Sequence, residues 1–538
     1  MKNTACFALL WVTLNLACTR VAGQNQGEVL GYHPIRTDAH QQIIPWNHTD
    51  PAEAYDEILG LTWKYWSNIP GYWMRKESNF SQRFGIRFPP LYLLFRTQDP
   101  ADLGIGGGQF AMMLSSFNLY YDYAGDPAVL ANMKFQADWY IKWGFSGPDC
   151  AWPNLPYPCN TELLPVYDGD LVLGKGFTQP DKAGDFGFEL TVLYRKTGEK
   201  RYLQRAMEIA DTLAVHTAKG DADHSPLPFK VNTATGEVGY ILGKDGVSPI
   251  PSGYTTNWTG TLRLFQSLES LGAGDPKRYR AAFAMISDWL KAYPLANNRW
   301  GPFFEDITSW SDTEINAGLM AWFILDHPDW VTDGPEKVRH IQDWVVQNLA
   351  LEGWAQYGLK VIGEQTIYKM QGQSHTARHA SIELRYAELT GDRSRVPEAI
   401  RQLNWCTYAV DLDGKNRWPN PETYEIWWSD GYGDFMRHFV RAMAADPELC
   451  PAKPHLLRTS SVIQMVKYSQ QRVAYVTYDQ ASHEVLRLPR KPSAVTVDRT
   501  SLGEKANAAG EYWTWRQLTN GGVLEIAHSS GDRVEVEF

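Results

Sequence analysis

Two histidines and an arginine lie together at the start of one amphipathic segment, residues 371–392. His375, Arg378 and His379 fall within its first turns, and the segment ends at Thr390-Gly391-Asp392. Cationic or titratable groups oppose the positive end of a helix, so helix stability does not explain their position. The grouping predicts a functional site. The alternative is that these side chains satisfy carbonyl groups or carboxylates between helices.

Three aspartates stand at comparable positions in other segments. Asp312 and Asp430 each follow a serine and precede a predicted helix, whereas Asp185 lies inside one, before Phe-Gly-Phe. Hydrolysis of a glycosidic bond needs one acid with a raised pKa and a second carboxylate that activates water or attacks the sugar. We predict Asp185, Asp312 and Asp430 as catalytic residues. For Asp312 and Asp430, ordinary N-capping is an equal alternative.

Other polar and aromatic side chains occupy the same helix starts and the loops before them. Amides and charged groups would bind sugar hydroxyls, and indole rings would stack on sugar rings. For the tryptophans, packing in the core is the alternative. The predicted substrate-binding residues are Gln109, Asn257, Trp258, Glu314, His375, Arg378, Trp427 and Trp428.

The elements that position these residues are predicted from a repeated unit. An apolar helix, a Gly-Asp or Gly-Glu turn and a second helix recur around Gly125, Gly198, Gly274 and Gly391. Glycine favours the end of a helix, and the following Asp or Asp-Pro favours a new start. Each unit is therefore predicted to be a helical hairpin. A further hairpin between residues 312 and 349 turns at 326–330 instead.

The hairpins predict a mainly α fold, an (α/α)6 barrel. The first helices of the hairpins begin near Gly107, Ala183, Tyr254, Asp312 and Ser374, and a sixth begins near Asp430. The unpaired helix at residues 50–66 is predicted to close the ring as the twelfth helix. Inner helices of such a ring run in the same direction, so their N-terminal ends and preceding loops meet at one mouth.

From about Leu456 the pattern changes to short alternating strands. Strands are predicted at 472–478, 494–497, 522–527 and 533–538, as a small antiparallel β-sandwich-like module. The predicted domains are a signal peptide at 1–23, the barrel at 24–450 and the β module at 456–538.

Composition excludes several functional classes. The net charge of −10 and pI near 5.8 argue against binding to nucleic acids, which needs a basic surface. The 22 Trp and 27 Tyr residues suit a polysaccharide or oligosaccharide substrate as well as a large core. No zinc-ligand spacing, phosphate loop or nucleotide fingerprint occurs, so no metal or cofactor is predicted.

The first 23 residues are typical of a secretory signal peptide, with Lys2, an apolar run from Ala5 to about Leu16, and small residues before Gln24. The run is too short to span a membrane. Cys18 also fits a lipoprotein cleavage site, so a lipid anchor is an alternative. We expect a secreted or periplasmic protein. Export permits disulfides, and Cys150–Cys159 and Cys406–Cys450 are the predicted pairs.

One segment resembles a known family. Residues 183–194, which begin Ala183-Gly-Asp185-Phe-Gly187-Phe188, look like the Asp-hydrophobe-Gly-Phe helix of six-hairpin glycosidases, particularly the unsaturated glucuronyl hydrolases. The resemblance implies an (α/α)6 barrel and makes Asp185 the general acid/base. The chain departs from that family in its C-terminal β module, its longer loops and the sequence Asn257-Trp258-Thr-Gly-Thr, so the substrate does not transfer.

Two other functions fit the same pattern. A polysaccharide lyase would need a base, for which His375 or Tyr254 could serve, and a group that neutralises a uronate, for which Arg378 with Asn257 or Gln373 could serve. Several carboxylates at the mouth would repel a polyuronate, which favours a glycoside hydrolase. A non-catalytic glycan-binding lipoprotein would show the same helices and aromatic residues.

Overall fold

The computed structural model describes residues 29–67, 107–161, 166–418, 430–505 and 510–538. The predicted signal peptide with Cys18, as well as Trp427 and Trp428, lies outside the described residues. Within the described ranges, no helix is both long enough and apolar enough to cross a membrane.

Helices are the main secondary structure of the described residues before residue 446. Twelve helices of 12 to 18 residues lie in the described part, besides the single turn Pro294–Asn297. They are α1 Pro51–Ser67, α2 Gly107–Ala124, α3 Pro127–Trp143, α4 Pro180–Thr197, α5 Lys200–His216, α6 Thr259–Ser270, α7 Pro276–Ala292, α8 Glu314–Asp326, α9 Gly334–Leu349, α10 Gln373–Thr390, α11 Val396–Thr407 and α12 Asp430–Ala445.

The turns between paired helices have the chemistry that the repeat predicts. Gly125, Gly198 and Gly391 adopt left-handed φ angles of 69°, 72° and 79°, which a side chain rarely tolerates. Asp126 then accepts a hydrogen bond from the amide of Ala128 and caps α3. Asp275 caps α7 in the same way through the amide of Arg278. The three glycines each end one helix, and Asp126 and Asp275 each start the helix that follows them.

The helices are arranged as an inner and an outer set. Helices α2, α4, α6, α8, α10 and α12 contact one another in chain order, and α12 contacts α2. Each of the first five also packs against the helix that follows it. Helix α1 contacts α12 and the outer helices α3 and α11. This mainly helical arrangement is consistent with an (α/α)6 fold.

The chain after residue 454 forms two antiparallel sheets. Its strands are β1 His455–Thr459, β2 Ile463–Tyr468, β3 Arg472–Thr477, β4 Ser482–Leu488, β5 Ala494–Val497, β6 Thr500–Ser501, β7 Tyr512–Gln517, β8 Gly522–His528 and β9 Arg533–Glu537. One sheet has the order β1-β4-β8-β7 and the other β2-β3-β9-β5-β6. Four of these strands lie where the alternating pattern predicts them.

The two sheets pack against the C-terminal ends of the inner helices. Lys196, near the end of α4, donates to the Asp122 carboxylate at 2.9 Å and to the carbonyl of Ile463 at 2.6 Å. Arg458 in β1 donates to the carbonyl of Ala444 near the end of α12. The opposite end of the ring, where the inner helices begin, is built from loops.

These loops contain short paired strands. The pairs are Val29–Leu30 with His33–Pro34, Arg36–Thr37 with Ile43–Ile44, Gly169–Asp170 with Gly174–Lys175, Phe177–Thr178 with Val231–Asn232, Tyr240–Leu242 with Pro249–Pro251, and Ala350–Leu351 with Val361–Ile362. Short 3-10 turns lie at Ala355–Tyr357 and Pro447–Leu449.

Both predicted disulfides are wrong, because all four cysteines concerned have free thiols. Cys406 lies at the N-terminal end of the inner helices, where its thiol contacts the carbonyl of Gln373 at 3.3 Å. Cys450 lies beyond the other end of the ring, beside Tyr123. An 18-residue helix is about 27 Å long, and a disulfide needs Cα atoms within about 7 Å.

Cys150 and Cys159 are also apart, because they lie at different parts of one loop. Phe145 forms a β-bridge with Pro156, which places Cys150 at the tip of the loop between them. Cys159 lies beyond the base of that loop, where it bridges Gly169. The proline-rich sequence therefore shapes a loop and does not bring the two thiols together.

Candidate functional site

The first turns of α4 carry an acid-base cluster that also includes one residue before α6. The side-chain amide of Asn257 donates to Oδ2 of Asp185 at 2.7 Å and to Oδ2 of Asp181 at 3.2 Å. The ammonium group of Lys182 lies 3.0 Å from Asp181. Asp181, Lys182 and Asn257 are buried, whereas Asp185 is partly exposed. Asp185 is therefore the carboxyl group of this cluster that a ligand can reach.

The pKa of Asp185 is raised to about 7. Burial is the main cause, and the charge of Asp181 adds to it, while the hydrogen bond from Asn257 and the charges of Lys182 and Arg437 oppose it. Asp181 and Asp185 share one amide donor, so they cannot both ionise without mutual repulsion. A carboxyl group with this pKa is a proton donor near neutral pH.

Glycines allow the close approach of α4 and α6 at this cluster. A Cβ atom on Gly184 would overlap the side chain of Thr261, and one on Gly187 would lie 2.7 Å from Leu264. A Cβ atom on Gly260 would overlap the Asp185 carboxyl itself. The Ala-Gly-Asp-Phe-Gly-Phe sequence thus combines the acid with the two α4 glycines that pack against α6.

A loop between α7 and α8 covers the cluster from one side. The Lys182 ammonium donates to the carbonyl of Phe303 at 2.7 Å and lies 3.0 Å from the centroid of its ring. Glu305 accepts a hydrogen bond of 3.2 Å from the amide of Gly108 at the start of α2. Burial raises the pKa of Glu305 to about 7, although Lys182 opposes the shift.

The histidine and arginine of the 371–392 segment belong to a buried ion cluster. His375 Nδ1 lies 2.7 Å from the Glu314 carboxylate, and Arg378 forms ion pairs with both Glu314 and Asp434. Arg378 is 0% exposed and Glu314 is 1% exposed. His375 and Arg378 therefore pair with carboxylates of neighbouring helices, which was the alternative to a functional site. These ion pairs join α8, α10 and α12. His379 instead contacts Gln402.

Asp434 is the ionised centre of this cluster. Burial alone would raise its pKa, but Arg378, Arg437 and His438 outweigh burial and hold the pKa well below its usual range. Burial holds the pKa of His438 well below its usual value, despite its contact with Asp434. Asp434 therefore remains a carboxylate, in contrast to Asp185.

Asp312 lies at the mouth but has its oxygens engaged. Its Oδ1 accepts from the amides of Trp300 at 2.9 Å and Gly301 at 2.8 Å, and its Oδ2 accepts from the indole of Trp310 at 3.2 Å. Lys244 is also within 3.7 Å. These contacts hold the loop before α8 and are not those of an N-cap, since α8 starts at Glu314.

The remaining predicted residues divide between the core and the mouth. Trp258 is 0% exposed and donates to the carbonyl of Thr255, so its ring has no free face for a sugar. Gln109 is buried in the first turn of α2, and its side-chain oxygen has no partner among the described residues. Asp430 is the first residue of α12, and its side chain is outside the described part, as are Trp427 and Trp428.

Further charged residues inside the ring were not predicted from the sequence. Glu189 lies one turn after Asp185 on the same face of α4, is partly exposed, and is close to Arg437, Arg263 and Arg441. Burial raises the pKa of Glu189 to about 7, against the effect of these arginines. The spacing of four residues from Asp185 was the signal that would have identified it.

None of the described residues form a group of three His, Cys, Asp or Glu side chains placed to hold a metal ion.

No family model and no curated protein matches this chain. Solved structures of similar fold include a cellobiose 2-epimerase from Spirochaeta thermophila, at a TM-score of 0.46 and 12% identity over 64% of this chain and 87% of that one. A family 76 glycoside hydrolase from a bovine Bacteroides thetaiotaomicron strain has a TM-score of 0.47 and 12% identity, over 74% and 78% of the two chains.

An unsaturated glucuronyl hydrolase specific for heparin is also among these structures, at a TM-score of 0.38 and 11% identity over 64% of this chain and 88% of that one. These matched proteins have the six-hairpin glycosidase fold. At such scores and identities the likeness concerns helical arrangement alone, and no activity follows from it.

Proposed function

We propose that the chain is an exported glycoside hydrolase that uses Asp185 as its general acid at the mouth of a closed (α/α)6 barrel. The observation that carries the proposal is the state of Asp185: a partly exposed carboxyl group whose pKa is raised to about 7. A glycosidic oxygen is a poor leaving group until it is protonated, and a carboxyl group with a raised pKa holds the required proton near neutral pH.

Asn257 fixes the direction of that proton. Its amide donates to Oδ2 of Asp185, so this oxygen is an acceptor, and the proton belongs on Oδ1. The neighbouring Asp181 is held by the same amide and by Lys182. In this proposal Oδ1 of Asp185 is the atom that donates the proton to a ligand.

Hydrolysis also requires a carboxylate that activates water or attacks the sugar. We propose Glu189 for this role, because it is partly exposed and lies one turn from Asp185 on the same helix face. The two groups repel each other when both are ionised, so they titrate as a pair and one ionises first. One neutral acid and one carboxylate are the two forms that the reaction needs. Asp430 stays a prediction, and Asp312 has its oxygens bound to protein donors.

The lyase alternative gains no support from the contacts of its candidate residues. Tyr254 donates to the carbonyl of Arg299, and burial raises the pKa of its hydroxyl well above the usual value. His375 and Arg378 are buried in ion pairs with Glu314 and Asp434. His375 could act as a base, and Arg378 could bind a uronate, only after leaving these carboxylates. Tyr254 would have to leave its carbonyl partner.

The test is turnover of a panel of polysaccharides and oligosaccharides by the mature protein, with reducing ends and the ultraviolet absorbance of unsaturated uronates followed together. We expect new reducing ends without absorbance. D185N should lose turnover by about 10²- to 10⁴-fold, the usual contribution of a general acid. D312N is the matched control, because it makes the same Asp-to-Asn change at another residue of the mouth, whose oxygens bind protein donors. It should lower stability more than turnover. Absorbance rising with reducing ends would overturn the hydrolase proposal.

A further inference from the structure

Arg441 is an unpaired guanidinium inside the helical ring. It lies over the ring of Trp322, 4.7 Å from the ring centroid. Its Nη1 is buried and without a hydrogen-bond partner. Among the described residues, none forms an ion pair or a hydrogen bond with Arg441. The Arg441 side chain as a whole is half-buried, so the unpaired buried group is this one N–H donor. A charged donor that is buried without an acceptor is costly, and an anion beside it would offset that cost.

Other N–H donors near Arg441 also lack acceptors. The indole Nε1 of Trp322 and the Nε of Arg437 are buried and without partners in the described part of the chain. Both side chains are buried, and Arg437 lies one turn before Arg441 on α12. Arg263 from α6 acts electrostatically on the same group. Three arginines and an indole thus supply unused or partly used donors in one region.

These residues meet on the axis of the ring. Arg441 belongs to α12 and Trp322 to α8, and α10 stands between those helices in the order of contacts. Glu189 comes from α4 and Arg263 from α6. Side chains from inner helices that are not neighbours in the ring can come together only in its centre.

The charges on the axis favour a bound anion. The guanidinium groups of Arg437 and Arg263 act on Arg441, against the carboxylates of Asp326 and Glu189. Arg263 and Arg437 are paired with Asp326 and Asp434, so Arg441 is the guanidinium of this group that has no carboxylate partner among the described residues.

Two further carboxyl groups adjust this balance. The pKa values of Asp185 and Glu189 are about 7, so below that pH neither supplies a full negative charge. Burial, Arg437 and Arg263 lower the pKa of Arg441 to about 9, although Asp326 and Glu189 oppose this. An anion beside Arg441 would offset the repulsion between Arg441 and the guanidinium groups of Arg437 and Arg263.

We propose that Arg441, Arg437 and Trp322 form an oxyanion-binding site on the axis of the ring, for a carboxylate, sulfate or phosphate group. Guanidinium groups bind such groups through directed, charge-assisted hydrogen bonds. The anion is either a free ion or a substituent of a sugar. Glu189 follows Asp185 by four residues, about 6 Å along α4, so a sugar held by Asp185 reaches toward this site. This second source rests on the proposed hydrolase function, whereas the site itself does not.

The test is calorimetric titration of the full mature chain, roughly one pH unit below the pKa of about 7 that Glu189 has in the folded protein. The ligands are sodium sulfate, inorganic phosphate and sodium glucuronate, with sodium chloride at equal ionic strength and glucose as controls. We expect the oxyanions to bind and glucose not to bind. R441Q should weaken oxyanion binding by about tenfold or more, the effect of losing a charge-assisted hydrogen bond.

Arg205 provides a matched control. It also lies 4.7 Å from an aromatic centroid, that of Phe145, but on the outer helix α5. R205Q should bind oxyanions like the unaltered protein. R441K, which keeps the charge but not the fork of donors, should show intermediate binding, so the proposal remains testable if R441Q folds poorly.

The same titrations identify the source of the anion. Sulfate or phosphate that binds at least as tightly as glucuronate identifies a free ion, and tighter binding of glucuronate identifies a sugar substituent. The proposal is overturned if no oxyanion binds, or if R441Q, R441K and R205Q bind equally. Binding requires no turnover, so this result is independent of failure of the hydrolase proposal.

Discussion

Gly260 leaves room for the carboxyl group of Asp185, because a Cβ atom at that position would overlap Oδ1 of the acid. The overlapped atom is the oxygen that we propose as the proton donor. G260A should therefore displace the Asp185 side chain and lower kcat/KM by at least about tenfold. It should also lower the free energy of unfolding by about 1–3 kcal/mol, the usual effect of overpacking. Steady-state kinetics and urea unfolding measure the two effects.

Gly60 in α1 is the matched control for this substitution. A Cβ atom there meets nothing within 4 Å. Alanine is favoured over glycine inside a helix by roughly 0.5–1 kcal/mol. G60A should stabilise the protein and leave kcat/KM unchanged. Equal kinetics for G260A and the unaltered protein would contradict the placement of Asp185 as the acid.

Asn257 should set the alkaline limit of activity. Its hydrogen bond is one of the effects that lower the pKa of Asp185, so N257A should raise that pKa above about 7. A general acid acts in its protonated form, so activity falls as pH rises through its pKa. We therefore expect the alkaline limb of the kcat/KM profile to move to higher pH in N257A, while the rate at low pH also falls because Asp185 is less well oriented.

Asn316 is the control for N257A. It is also a buried asparagine, but its amide donates to the carbonyls of Trp300 at 2.9 Å and Gly301 at 3.1 Å and not to a carboxyl group. N316A should lower thermal stability and leave the alkaline limb in place. An alkaline limb that stays fixed in N257A, or moves in both variants, would separate the pH dependence from Asp185.

The sequence predicted the elements better than the contacts of the site. Helices and strands follow from periodicity and turn residues, which are local, so Gly125 and Gly198 located the hairpins. Asp185 stands out in the sequence because it lies inside a helix, where capping does not explain it; its role as the acid stays a prediction. The role of Asp312 depends on amides of Trp300 and Gly301 from a preceding loop, and no local pattern reveals such a contact.

The charged residues on the axis were missed for a related reason. Capping and turn residues mark the starts of helices, whereas Glu189, Arg437 and Arg441 lie one or more turns deeper. Helical spacing places Glu189 on the face of Asp185, and Arg441 on that of Arg437. The disulfide predictions were wrong because export permits two cysteines to pair but does not determine which cysteines the fold brings together. Cys406 and Cys450 lie at opposite ends of the inner helices.

The raised pKa values predict how stability depends on pH. Asp185, Glu189 and Glu305 have pKa values of about 7 in the folded protein, against about 4 in an unfolded chain. Their contribution to stability is fully present below about pH 4 and is lost as pH rises through about 7. Asp434 acts in the opposite sense, but its contribution is lost only as pH falls below about 4. The free energy of unfolding should thus decline between pH 5 and 7.

Urea unfolding across this range checks the prediction. E189Q should show a shallower decline than the unaltered protein, because an amide does not ionise. E53Q is the control, since Glu53 is an exposed partner of Lys453 at 3.2 Å, and it should keep the original slope. A free energy of unfolding that stays constant over this range would mean that these carboxyl groups are solvated as ordinary surface acids.

Substitution of Glu314 tests whether His375 and Arg378, at the start of α10, have a structural role. E314Q removes the charge that faces Arg378 and His375 in a buried place. Removing one partner of a buried ion pair costs about 3–5 kcal/mol, whereas E53Q at an exposed pair should cost at most about 1 kcal/mol. Urea unfolding at neutral pH measures both. If E314Q keeps its stability and loses only substrate affinity, seen as a higher KM, then these residues bind substrate, as the sequence predicts. If stability falls and KM is unchanged in the folded fraction, the cluster holds α8, α10 and α12 together.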